Sequence, residues 1–315
     1  MSKDLTQQVK ALATEVGYVD CGVTTAEPFS DYVTILREKM RRFPAVRPLL
    51  EHQLKREEPR RTAPWAQAIV VCVHYYGKYR LPPGLSDYIG RSYLADRRCK
   101  KSPENDLPAR FSRGLKELGL RIKRGGVPDR AAAVRAGVAR IGRNGFAYAD
   151  RYGSWVNIET WRVDAALRPD RPAGGSPCPD DCQLCREACP SGAVVEPCGI
   201  RMDRCIAWLT YEAPFPIEDE LWSAMGPWIY GCDICQEICP LNRGKWRAEM
   251  DAAWISEVAD SLTPQALADM NQDEYENVVH PRFWYIARDD LARWHANACR
   301  SLEWRAGKDR SNATD

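Results

Sequence analysis

Cys178-Pro-Asp-Asp-Cys182-Gln-Leu-Cys185-Arg-Glu-Ala-Cys189-Pro190 and Cys232-Asp-Ile-Cys235-Gln-Glu-Ile-Cys239-Pro240, with Cys205 between them, decide the reading of this chain. Thiolates are soft, anionic ligands that suit iron held together with sulfide. Close spacing lets one tight loop offer three of them to one cube, and the closing proline turns the chain away. Such spacing holds two 4Fe–4S clusters, the fourth cysteine of each run ligating the other run's cluster. The rule assigns Cys178, Cys182, Cys185 and Cys239 to cluster one, and Cys189, Cys205, Cys232 and Cys235 to cluster two. Three residues separate Cys178 from Cys182 where two are usual, and Cys198 competes with Cys205 as the eighth ligand. A pair of zinc sites is the alternative, but it leaves the doubled Cys-x-x-x-Cys-Pro ending unexplained.

The 315 residues leave room for two domains, and an apolar share of 44% with 11 Trp and 13 Tyr supports a real core. A net charge of +2 offers no broad field for nucleic acid. No run approaches the roughly 18 apolar residues of a membrane span. The start, Met1-Ser-Lys-Asp-Leu-Thr-Gln-Gln-Val-Lys10, has neither an apolar signal core nor twin arginines, so a cytoplasmic protein is expected. There its 13 cysteines stay reduced, and a disulfide framework is not expected. Cys21, Cys72 and Cys299 read as core residues. The four histidines, His52, His74, His280 and His295, lie away from the clustered cysteines, which argues against zinc fingers and most haem ligation.

Periodicity predicts helices over 4–16, 29–42, 106–119, 131–138, 263–270 and 288–302, and strands over 68–76 and 155–163. Pro and Gly crowd residues 168–177, as expected where the chain changes module. The expected organisation is therefore an α/β domain over 1–167, a linker over 168–177, a ferredoxin-like module over 178–245, a helical segment over 246–304 and a disordered tail over 305–315.

A bare ferredoxin needs far fewer residues than precede Cys178, so something else must be housed. Arg204-Cys-Ile-Ala-Trp-Leu-Thr210, Tyr230-Gly-Cys-Asp-Ile-Cys-Gln-Glu-Ile-Cys-Pro-Leu-Asn242, Arg135-Ala-Gly-Val-Ala-Arg-Ile-Gly-Arg-Asn144 and Gly153-Ser-Trp155 together resemble the epoxyqueuosine reductases, relatives of the corrinoid reductive dehalogenases. The resemblance implies an α+β fold. Its parts would be an α/β, nitroreductase-like cobalamin-binding core, a bacterial ferredoxin-like two-cluster module and a helical C-terminus. It implies cobalamin held base-off and reduced by the clusters to Co(I), with a ferredoxin- or flavodoxin-type donor of low potential. It places Arg56, Gly142, Arg143, Asn144, Gly153, Ser154 and Trp155 near the corrinoid.

The chain also departs from the family pattern. An ungapped count puts Lys123 where the family carries its acidic proton donor, with Asp129 at the family's Glu of a Glu-Arg pair, so the catalytic carboxylate is read as missing. The family's Asp-Tyr-His is Arg98-Cys99-Lys100 here. Arg98, Lys100 and Lys123 would then line a cationic pocket for a small anionic substrate, with a lysine as proton donor if burial lowered its pKa. The leading expectation is a cobalamin and iron–sulfur reductase acting on such a substrate, tRNA not being favoured as a partner. An electron-transfer activator and a true tRNA epoxyqueuosine reductase are the alternatives.

Overall fold

The computed structural model describes residues 4–195 and 199–312. Cys198 lies outside the described residues. Four strands form the central sheet: β1 (Asp20–Thr25), β2 (Ala68–Tyr75), β3 (Ile122–Arg124) and β4 (Val156–Val163), in the order β1-β2-β4-β3. Every neighbouring pair is antiparallel, with Cys21 opposite Cys72, Val71 opposite Thr160 and Lys123 opposite Arg162. The expected α/β unit is thus an antiparallel sheet with helices packed on it, and no parallel crossover forms in this sheet. The mixed helix-and-sheet class is as expected.

Helices cover both faces because both faces of β2 are apolar. On one face, α1 (Leu5–Val16) and α3 (Leu107–Glu117) set Val9, Ala13, Phe111 and Leu115 against Val70, Cys72, Trp161 and Val163. Asp4 caps α1, its carboxylate accepting from Thr6 N at 3.4 Å. On the other face, α4 (Asp129–Arg135) presses Ala132, Ala133 and the following Ala136 onto Ile69, Val71 and Val73. Phe29, just ahead of α2 (Ser30–Arg42), joins that layer. The close approach needs glycine in β1: a side chain at Gly22 would run into the Ala136 carbonyl.

The 168–177 segment has no regular structure but is pinned to the core. Asp170 accepts from Lys10 Nζ at 2.7 Å and from Val23 N at 2.8 Å, and Ala173 N donates to Val134 O at 2.8 Å. The cluster module follows as short turns and small helices, among them α5 (Ile206–Tyr211). The C-terminal segment packs Trp254, Tyr275, Phe283 and Trp294 onto Tyr76, Tyr79, Trp155 and Tyr230. The last helix, α6 (Leu291–Asn312), continues through 305–312, where a disordered tail was expected. Its Arg305 lies over Tyr88 and its Lys308 over Trp304, and Arg, Lys and Ala extend an existing helix readily. Among the described residues, no helix is long and apolar enough to cross a membrane.

Candidate iron–sulfur centre and active site

The two cysteine runs fold against each other. Their central turns, Leu184–Glu187 and Ile234–Glu237, are in contact. Burial first, then the neighbouring Cys178, Cys239 and Cys182, push the Cys185 thiol up to about 11. Cys205 and Cys189 likewise bear on Cys235, and Cys235 and Cys205 on Cys232. Cys185 is thus a neighbour of Cys178, Cys182 and Cys239, and Cys205 of Cys189, Cys232 and Cys235, with Cys185 also bearing on Cys235. Four thiols crowded together stabilise one another poorly until a metal centre takes up their charge. Among the described residues, no three His, Cys, Asp or Glu side chains stand close enough to share one metal ion.

The residues expected near a cofactor form the seam between the sheet domain and this module. Arg143 N points at Cys178 Sγ at 3.4 Å, and its Nη2 donates to Asp180 O at 2.6 Å. Asn144 is buried, its Nδ2 donating to Tyr148 Oη and to Cys235 O, both at 2.9 Å. Gly142 lies against the Tyr148 ring, with no room for a side chain. Gly153 has φ +61°, and a Cβ there would collide with Asn242 Oδ1. That oxygen accepts from Ser154 N at 2.8 Å. Asn242 Nδ2 donates to Ser154 Oγ at 2.8 Å and to Gln236 O at 2.7 Å, and Gln236 Nε2 donates to Ser154 Oγ at 2.9 Å. Trp155 is buried between Tyr76 and Trp246, with the Arg91 guanidinium over its ring at 5.4 Å.

The expected cationic trio does not assemble. Lys123 is exposed on β3, on the sheet face of Arg162, and donates to Thr62 O at 2.8 Å. Its neighbour Arg124 turns to the opposite face, with Trp161 and Glu159. Arg98 is tied to Asp96 at 2.6 Å, donates to Tyr285 Oη at 2.9 Å and lies over Trp284. Lys100 is exposed.

A different set converges beside the module. Asp129, at the first turn of α4, accepts from Thr160 Oγ1 at 2.7 Å. Burial raises its pKa above the usual carboxylate value, although the Thr160 bond and the charges of Arg56, Arg124 and Arg130 oppose the rise. Arg130 lies over Phe146 at 5.4 Å and bears on Tyr32, Tyr76 and Lys39. Lys39 in turn bears on Cys205. Tyr32 Oη donates to Gln53 at 2.6 Å. Among the described residues, the side chains of Lys39, Arg56 and Arg130 make no hydrogen bond or ion pair. A carboxyl thus stands at this end of the sheet as Asp129, the residue the ungapped count set at the family's Glu of a Glu-Arg pair; the chain reaches it from β3 through Gly125 and Gly126, both at positive φ.

A fold with this doubled thiolate centre defines an iron–sulfur electron-transfer protein, and residues 178–242 match the 4Fe-4S double cluster binding domain. The chain is 30% identical over 259 residues to the epoxyqueuosine reductase of Staphylococcus aureus, covering 77% of this chain and 66% of that protein. It is 28% identical over 310 residues to that of Xanthomonas campestris, covering 93% and 85%. It spans 41% of the Bacillus subtilis enzyme, at 34% identity. A solved epoxyqueuosine reductase bound to an epoxyqueuosine-modified tRNA stem loop superposes with TM-score 0.72 at 26% identity, over 95% of this chain and 82% of that one. The Streptococcus thermophilus structure shares the fold, with TM-score 0.71 and 22% identity over 95% and 80%. The chain belongs to the epoxyqueuosine reductase family of oxidoreductases.

Proposed function

We propose that this protein is an iron–sulfur and cobalamin-dependent reductase of epoxyqueuosine in tRNA. The observation that carries this reading is the resemblance across the whole fold to a relative solved with epoxyqueuosine-modified tRNA. It takes the place of the expected small anionic substrate and speaks for tRNA as a partner. Cys178, Cys182, Cys185 and Cys239 would hold one cluster, and Cys189, Cys205, Cys232 and Cys235 the other. Electrons would enter from a ferredoxin- or flavodoxin-type donor at the first cluster, beside which Leu184 and Ile238 stand 42% and 43% exposed.

Lys39, Arg56 and Arg130, whose side chains make no hydrogen bond or ion pair among the described residues, fit with the Tyr32 and Tyr76 hydroxyls a ligand rich in amide and phosphate acceptors, as cobalamin is. When bound, cobalamin supplies a reducible cobalt able to act on an electrophilic carbon. The chain's own task is to hold and orient the reactants and to move the proton. Asp129 keeps its proton longer than an ordinary carboxylate, because its site disfavours the charge. Thr160 holds its Oδ1 in place, so the acid is positioned to protonate the oxygen released from the epoxide. A related Bacillus subtilis structure, with TM-score 0.72 and 26% identity, is described as having its catalytic aspartate loop swung out of the active site. An acid in the first turn of α4, directly after the loop from β3, fits that pattern.

Anaerobic protein reconstituted with iron, sulfide and cobalamin is expected to convert epoxyqueuosine-tRNA to queuosine-tRNA, read by nucleoside mass spectrometry. No conversion by protein with full cluster and cobalt content would refute the reading.

A further inference from the structure

Cys21 and Cys72 lie outside both cysteine quartets, on neighbouring strands β1 and β2. They are directly opposed in register, and their sulfurs stand 3.8 Å apart. The ladder continues past the strand ends as a bond from Ala26 N to Gln67 O. Antiparallel pairs alternate between hydrogen-bonded and non-hydrogen-bonded positions. Counting back from Ala26 and Gln67 puts Cys21 and Cys72 at a non-hydrogen-bonded one. There Cα atoms approach to about 4.5 Å, within the roughly 4.4–6.8 Å that a disulfide spans. Cys72 is buried under α1 and α3, while Cys21 is half-buried and open to solvent on one side. One thiol can therefore be reached by a reagent while its partner waits in contact behind it.

We propose that Cys21 and Cys72 form a thiol–disulfide switch that locks the edge strand β1 to β2. Cys21 attacks a low-molecular-weight disulfide such as oxidised glutathione, forming a mixed disulfide and releasing one thiol. Cys72 then displaces the second thiol, closing the Cys21–Cys72 bond. The two cysteines lose two electrons and two protons, and the reagent leaves as two thiols. The sulfurs need only close their 3.8 Å gap to about 2.05 Å, a movement within the reach of side-chain rotation. The bond ties down an edge strand whose outer side is met by Asp170 at Val23 rather than by another strand. It also closes a long loop, which restricts the unfolded chain.

The test uses the anaerobic, cluster-loaded protein treated with excess oxidised glutathione. Peptide mapping without reduction is expected to show the Cys21 and Cys72 peptides joined, with the chain two hydrogens lighter. The melting temperature is expected to rise and to return after dithiothreitol. Cys21→Ser and Cys21→Ala, which change a half-exposed position, are expected to fold, to show no link and to keep the reduced protein's melting temperature. Glutathione retained on Cys21 without the link, both thiols remaining free to alkylate, or the link forming with no change in melting temperature would each overturn the proposal.

Discussion

Gly153→Ala is the most searching test of how the iron–sulfur module is held. Gly153 has φ +61°, where a residue with a Cβ is strained by about 1–2 kcal/mol. The new methyl would also lie 3.2 Å from Leu241 O and against the Asn242 amide. Asn242 is buried and cannot retreat without giving up its bonds to Ser154 N, Ser154 Oγ and Gln236 O. Buried groups left without partners cost about 1–3 kcal/mol each. Losing one or two of them on top of the backbone strain gives about 2–8 kcal/mol. The damage falls between Cys235 and Cys239, so cluster retention should drop together with stability. Iron and sulfide per chain and the unfolding midpoint of anaerobic protein are the measurements. Asn242→Ala removes the obstruction, so the double variant should be less unstable than the two single effects added. Full iron content with an unchanged midpoint in Gly153→Ala, or strict additivity in the cycle, would refute the reasoning.

Asp129→Asn should lower turnover about 10²–10⁴-fold, the usual contribution of a general acid, while leaving cluster content intact. Because burial raises the Asp129 pKa in the folded protein, the folded state holds that proton more tightly than the unfolded one. Stability is lost as pH rises from the ordinary carboxylate value through the folded one, so the Asn variant should be at least as stable as wild type at pH 7, checked by thermal melts. Glu104 lies among His74 at 3.0 Å, Lys78 at 2.6 Å and the Tyr79 hydroxyl. Burial raises its pKa, but these bonds outweigh burial and hold it down at about 2, and we take buried His74 as neutral with Lys78 as the counter-charge. Its stabilisation is complete above about pH 4.5 and lost only as pH falls toward 2, so the deficit of Glu104→Gln, about 3 kcal/mol, should stay constant between pH 5.5 and 8 in denaturant titrations. Lys123→Ala should shift stability by no more than about 0.5 kcal/mol and turnover by less than twofold, because its ammonium meets only Thr62 O at an exposed strand.

Long-periodic segments were legible because their apolar spacing is itself the packing instruction. Helix 4–16 appears as Leu5–Val16, helix 29–42 as Ser30–Arg42, and the β-branched run from Ala68 as β2. Strand β1 was not, since Asp20-Cys-Gly-Val-Thr-Thr25 is short and carries a glycine, and only its pairing with β2 makes it a strand. The double-cluster region could be read because its signal is spacing within two short runs. The cationic set could not, because Lys39, Arg56 and Arg130 come from three separate elements. The sequence suggested instead three cations that lie close in the chain or in an ungapped count. Arg56 alone was anticipated. Asp129 could be read only as the counterpart of a family Glu, since the burial that raises its pKa is supplied by the fold.

Helix α6 carries one more consequence. Arg293 donates to Ala213 O at 2.7 Å, Asn297 to Thr210 O at 2.9 Å and Ile229 O at 3.0 Å, Arg300 to Trp228 O at 2.5 Å and Ser301 to Pro227 O at 2.8 Å. These carbonyls belong to the stretch that joins the two cysteine runs. On the ribosome that stretch emerges well before its donors do, so the nascent chain presents an unclasped module for as long as residues 230–312 take to be made.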